Sequence, residues 1–249
     1  MTTRKLYGRE GSDASRRNKI SQEYWNESTH TILSYWFCLI ATGIEFFLGI
    51  QHINEYFGQM CLVEAFFGIS GLLLLDPIHG RRFQLYPKPF KRVHKNTFFR
   101  FAITFSIIVA IQFIFQVVPL ITSTEMALGI VMCAPVEEYF FRGVLMEPSF
   151  IIAKKSKNKI TIWKYPPRKK KPDKEISYVE IGMIFLSAAI FSSVHVNYYG
   201  QLNLLLMVFA GGCWLSFIYW WNRDLTPLIL SHFLLNIFFV YQYYMVVGL

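Results

Sequence analysis

Residues 133 to 145, CAPVEEYFFRGVL, place Glu137, Glu138 and Arg142 in an otherwise apolar stretch. Glu138 and Arg142 are four positions apart, so they share a helix face. An ion pair across that turn lowers the cost of burying both charges. Glu137 points roughly 100 degrees away on a helix and has no partner nearby in sequence. A buried carboxylate of that kind needs a partner in space or takes up a proton. A carboxylate poised to accept a proton is what general-base chemistry requires. Two other apolar segments offer the partners. FSSVH ends in His195, and HFLLN runs from His232 to Asn236, again four apart on one face. Imidazole accepts a proton, donates a hydrogen bond or binds a metal, and the Asn236 amide can donate to a developing oxyanion.

Buried polar groups must be hydrogen-bonded. The least costly arrangement brings Glu137, His195, His232 and Asn236 around one wet cavity. Such a set is suited to hydrolysis: the carboxylate draws a proton from water and the donors steady a tetrahedral oxyanion. The residue types do not say which bond is cut. The plainer reading of each group alone is helix-to-helix hydrogen bonding, and for Arg142 a tie between neighbouring helices.

The elements that must position these groups are membrane spans. Of the 249 residues, 53% are apolar, 18% aromatic and only 16% charged. Several apolar runs approach the roughly 20 residues that cross a bilayer. The spacing predicts spans over 31–50, 60–77, 101–120, 126–150, 178–198, 203–221 and 226–247. The expected fold is all-α, a polytopic transmembrane helix bundle of seven to eight spans forming a single membrane domain over 1–249. An eighth, short interfacial helix would fall in 79–100 or 151–177, where Pro87, Pro89, Pro166, Pro167 and Pro172 break any long one. These edges set His195 toward the outer end of its span and His232 toward the inner end of its own, so convergence requires a displaced or kinked fifth helix, other span boundaries, or a last span shifted by Pro227. GISG near residue 68 and AGG near 210 offer small side chains for close helix approach. No internal repeat or interdomain linker is evident.

Charge placement orients the bundle. Of 25 Lys and Arg, six fall in 1–30, seven in 79–100 and ten in 154–174, leaving Arg142 and Arg223. Seven spans with the N-terminus inside put all three clusters on the cytoplasmic side, and 51–59, 121–125 and 199–202, without Lys or Arg, outside. The net charge of +9 therefore reads as topology and contact with anionic membrane lipids, with no nucleic acid partner. Residues 1–30 are polar and mixed in charge, a cytoplasmic N-terminal segment and no signal peptide. Cys38, Cys61, Cys133 and Cys213 form no CxxC pair and read as packing residues. Tyr and Trp in NYYG, YWW and VYQYY read as interface anchors.

At this point the chain resembles a known family. EEYFFR is similar to the EExxxR motif of the CAAX protease and bacteriocin-processing family of intramembrane proteases, FSSVH to its FxxxH motif and HFLLN to its HxxxN motif, in the same order. The resemblance covers residues 100–247, which would be a catalytic helix core. It implies a bundle of about eight helices. The family includes type II CAAX prenyl endopeptidases and bacterial members in peptide processing and bacteriocin immunity. By resemblance, Glu137 activates the attacking water with help from His195. His232 and Asn236 form the oxyanion hole, while Glu138 and Arg142 shape and support the site. Some members carry an Asn one turn after the first motif histidine. Here that place holds Tyr199, and Asn197 lies two residues after His195.

The family is named for metalloproteases, and a metal-free glutamate mechanism is also proposed for it. Glu137, His195 and His232 could hold zinc with water as fourth ligand, drawn from three separate helices. No HExxH motif is present. The implied partner is a membrane-embedded or lipidated peptide, and the compact length fits a bacterial plasma membrane. The alternative is a non-enzymatic peptide-binding or immunity protein, or a transporter, for which Glu45 and Glu64 in the first two spans would suit an ion pathway.

Overall fold

A computed structural model describes residues 32–78, 95–115, 121–153, 156–164, 174–195 and 201–247. The cytoplasmic segment expected over 1–30, most of the basic run in 79–100, and Asn197 and Tyr199 lie outside the described residues.

The helices are α1 (Ile32–Gln51), α2 (Tyr56–Ile78), α3 (Lys95–Phe115), α4 (Thr124–Glu137), α5 (Glu147–Ala153), α6 (Tyr178–Ser193), α7 (Leu202–Asn222) and α8 (Thr226–Val247). A π-helical segment, Glu138–Val144, joins α4 to the turn before α5. Five helices, α1, α2, α3, α7 and α8, are long and apolar enough to cross a membrane by length and composition. The other two expected spans differ from a plain helix. Apolar α6 has 16 residues and stops at Ser193, where 178–198 was expected. The segment expected as one helix over 126–150 is α4, the π segment and α5 in succession.

The break in the fourth span has a local cause. Pro135, inside α4, has no N–H to donate to the preceding turn. The wider turn follows at once, with Leu145 N–H donating to the Phe140 carbonyl at 2.9 Å, five residues back. Wide turns of this kind often occur at functional sites because they re-aim side chains. Within 151–177, one of the two stretches where a short eighth helix could fall, the described residues carry an antiparallel pair, β1 (Lys159–Trp163) and β2 (Lys174–Ser177). Its first strand, KITIW, alternates in polarity as strands do. The all-α class holds for the bundle, with this small appendage.

Caps fix the helices that carry the site. Ser123 Oγ accepts from Met126 N–H at 3.1 Å and starts α4. Ser177 and Glu180 form a reciprocal capping box at the start of α6, at 3.2 and 2.7 Å. Asp224 Oδ1 accepts from Thr226 N–H at 3.0 Å, and Pro227 then sits in the first turn of α8, where its missing N–H costs nothing.

Helix α1 packs on α2 and α4, α3 on α7 and α8, α4 on α8, and α6 on α7. The small residues act where they were expected. A Cβ at Gly71 would lie 2.8 Å from Cβ of Tyr139, and one at Gly212 would lie 3.3 Å from Cα of Ala188. These positions let α2 reach the π segment and α7 reach α6. The core runs through Met146, Leu215, Tyr219, Leu225 and Leu228, all fully or nearly fully buried. Among the proposed interface anchors, Tyr219 and Trp220 are buried instead, because α5 and β2 cover the end of α7. Tyr241 is exposed as expected, and NYYG lies outside the described residues. All four cysteines are free.

Candidate active site

Four elements meet at the π segment. α4 ends at Glu137, the π segment begins at Glu138, His195 follows the last turn of α6, and His232 and Asn236 lie on α8. The convergence is present, although the sequence put the two histidines at different depths. The expected edge of the fifth span was at fault, since α6 ends five residues early and His195 sits on the turn beyond it.

Glu137 is 1% exposed, and its carboxylate lies between two imidazoles. His195 Nε2 is 3.7 Å from Glu137 Oε1, and His232 Nε2 is 3.6 Å from Glu137 Oε2. Both separations exceed a direct hydrogen bond, and Oε2 has no hydrogen-bond partner.

The far side of each ring fixes what its Nε2 can do. His195 Nδ1 is 2.7 Å from the Phe191 carbonyl. A carbonyl only accepts, so Nδ1 carries the proton and Nε2 of the neutral ring presents a lone pair toward Glu137. His232 Nδ1 is 2.9 Å from Glu138 Oε1. A carboxylate there orients the ring. The two rings face one glutamate from different electrostatic surroundings, one backed by a neutral carbonyl and the other by an anion.

Glu138 and Arg142 are both fully buried. Arg142 Nη1 lies 3.1 Å from Glu138 Oε1, an ion pair without hydrogen-bond alignment. Its Nη2 donates to the Gly212 carbonyl at 3.3 Å, and its guanidinium lies 4.5 Å from the Phe191 ring centroid. Arg142 thereby ties the π segment to α7 and α6, while Glu138 links it to α8. The structural and supporting readings of this pair coexist.

Asn236 Nδ2 donates to the Ile130 carbonyl at 2.6 Å and approaches Cys133 Sγ at 3.6 Å. The Cys133 thiol itself donates to the Ile130 carbonyl at 3.1 Å. The Asn236 amide is therefore turned onto α4, and a substrate oxygen has to compete with the sulfur for one of its two protons.

A cavity of about 160 Å³ is lined by Glu137, His195, His232 and Asn236 and walled by apolar side chains. Glu45 of α1 and Glu64 of α2 also line it. Sequence reasoning placed these two in a possible ion path and did not join them to the site. Their position as charged residues within apolar spans was the available signal. Glu147 behaves differently. It accepts from Tyr219 Oη at 2.5 Å and pairs with Arg223 at 2.7 Å, pinning α5 to the end of α7. Arg223 adopts a left-handed backbone, φ 51°, that ends α7, and its guanidinium lies 3.5 Å from the Phe150 ring centroid.

Zinc was a candidate from the donor types. Two imidazoles and a carboxylate are ordinary zinc ligands, and both rings have the outer partners such ligands use. The arrangement does not fit: among the described residues no group of three His, Cys, Asp or Glu is placed to hold a metal ion.

Residues 119–238 match the family model described as Rce1-like, type II CAAX prenyl endopeptidase Rce1-like. The match spans the π segment, α6 and the part of α8 that bears His232 and Asn236. No curated protein and no solved structure matches the chain.

Proposed function

We propose that the chain is an intramembrane endopeptidase of the Rce1-like type II CAAX prenyl endopeptidase family, whose model matches residues 119–238. Its substrate class would be a membrane-associated, prenylated peptide, and its nucleophile a water activated by Glu137. The observation that carries this reading is the placement of the Glu137 carboxylate between the Nε2 atoms of His195 and His232, at 3.7 and 3.6 Å, on the wall of an apolar cavity.

Water bound against Glu137 gives up a proton to that carboxylate, aided by the lone pair on His195 Nε2. The resulting hydroxide adds to the carbonyl carbon of the scissile amide, and the carbonyl oxygen becomes an oxyanion. His232 donates to it from Nε2, its ring oriented by Glu138 behind it. One N–H of Asn236 turns from Cys133 to give the second hydrogen bond. As the intermediate collapses, the C–N bond breaks and the leaving nitrogen takes the proton from Glu137. Charge balance is kept without a metal. The surrounding apolar walls strengthen each of these interactions by excluding bulk water.

We also propose the placement of the protein. The five long apolar helices make it an integral membrane protein. The shorter α6 and the broken α4 to α5 segment would complete seven traverses, with the N-terminus cytoplasmic in a bacterial plasma membrane.

Cleavage of a farnesylated CAAX peptide by the purified protein in detergent or liposomes tests this function. The expected result is release of the C-terminal tripeptide from the prenylated peptide and little from the same peptide without its lipid. Binding without cleavage would favour the immunity-protein alternative.

A further inference from the structure

The mechanism leaves Glu45 and Glu64 unused. Glu45 is 1% exposed and Glu64 is 9% exposed. Both line the cavity that holds Glu137. Glu45 Oε1 and Glu64 Oε2 have no hydrogen-bond partner, whereas the Cys61 thiol hydrogen-bonds to the Glu45 carboxyl. Leaving buried carboxylate oxygens unpaired is costly. Both residues lie within electrostatic reach of Glu137. Among the described residues, no Lys or Arg lines the cavity, because Arg142 is turned away onto Glu138 and Gly212.

Helix geometry locates the pair. Glu45 is six residues before the end of α1 and Glu64 eight residues after the start of α2, so both lie toward the end of the bundle where residues 52–55 join the two helices. Glu137 closes the last turn of α4, and Gly129 of the same helix lies against Phe57 and Cys61 of α2. Phe57, Met60 and Met126 line the cavity around the pair. A peptide crossing the cavity past Glu137 would thus meet an apolar surface carrying two carboxylates.

We propose that Glu45 and Glu64 form an acidic subsite that takes a positively charged group of the peptide substrate, next to the bond that Glu137 hydrolyses. This rests on the peptidase reading above. Two buried carboxyl groups with unpartnered oxygens beside Glu137 in one apolar cavity lack donors, and an incoming ammonium or guanidinium supplies them. The cation has two possible sources, a Lys or Arg side chain or a free peptide amino terminus.

The test uses farnesylated CAAX peptides carrying lysine, acetyl-lysine or norleucine at successive positions around the prenylated cysteine, with free or acetylated amino termini. The subsite predicts that at one position lysine raises kcat/KM over both neutral residues by about tenfold or more, and that the Glu45→Gln, Glu64→Gln double variant abolishes the advantage. A gain only from the free terminus would assign the pocket to that amine. Equal rates for all peptides, with norleucine peptides still cleaved, would overturn the subsite and leave the peptidase intact. If nothing is cleaved, the same peptides are titrated for binding. Tighter binding of a cationic peptide, lost in the double variant, supports the subsite independently of catalysis, and equal binding overturns it.

Discussion

Glu138 reaches across 94 positions of sequence to hold His232, its Oε1 lying 2.9 Å from the ring's Nδ1. The adjacent Glu137 faces the other nitrogen of the same ring at 3.6 Å. Two neighbouring carboxylates thus occupy opposite sides of one imidazole. The π segment begins at the second of them, immediately after α4.

Replacing Glu138 by Gln keeps the shape but removes the anion behind His232. Turnover should fall about 10- to 100-fold, in line with other outer partners of catalytic or ligating histidines. KM should change little, because Glu138 does not line the cavity. A KM-against-kcat comparison on a prenylated peptide checks this, and an equal loss in both would assign Glu138 to substrate binding.

Arg142 is expected to matter for folding more than for chemistry. Its removal in Arg142→Ala leaves fully buried Glu138 without its cationic partner. Breaking a buried pair on one side costs about 3–5 kcal/mol. A marked drop in thermal stability in detergent is expected, with partial recovery in the Arg142→Ala, Glu138→Gln double variant. Unchanged stability would show that the pair is not a structural tie.

Close packing gives a third expectation. Gly71→Ala would set a Cβ 2.8 Å from the Tyr139 Cβ, one residue from Glu138 in the π segment. Overpacking of this kind costs about 1–3 kcal/mol. Thermal melting should show a loss of that order, whereas Gly182→Ala on α6 should show none, since its added Cβ meets nothing within 4 Å.

Much of this was legible beforehand, and the failures have physical causes. α1, α2, α7 and α8 fall within a few residues of expectation because a long apolar run is a strong, local signal. The motif trio also read through, since ionisable groups in apolar spans stand out. The π segment did not, because Pro135 announces a break in the helix but not a shift from four- to five-residue hydrogen bonding. β1 was hidden by the basic and proline-rich composition around it. Glu45 and Glu64 were visible as charges, but only tertiary packing shows that they share a cavity with Glu137. The partners of the two imidazoles, a carbonyl and a carboxylate, likewise belong to the folded chain.

Metal dependence follows from the donor arrangement. Treatment with 1,10-phenanthroline and EDTA should leave cleavage unchanged, and metal analysis of the same sample should find zinc well below one equivalent. Loss of activity that returns with added zinc would place an ion among Glu137, His195 and His232.

The most direct measurement is the single-turnover rate of peptide cleavage by the Glu137→Gln protein beside the unaltered one, with folding checked by melting temperature. Removing the general base should lower the rate about 10²- to 10⁴-fold while the peptide still binds. A Glu137→Gln protein that folds and cleaves at the original rate would mean that the carboxylate between His195 and His232 does not activate the water.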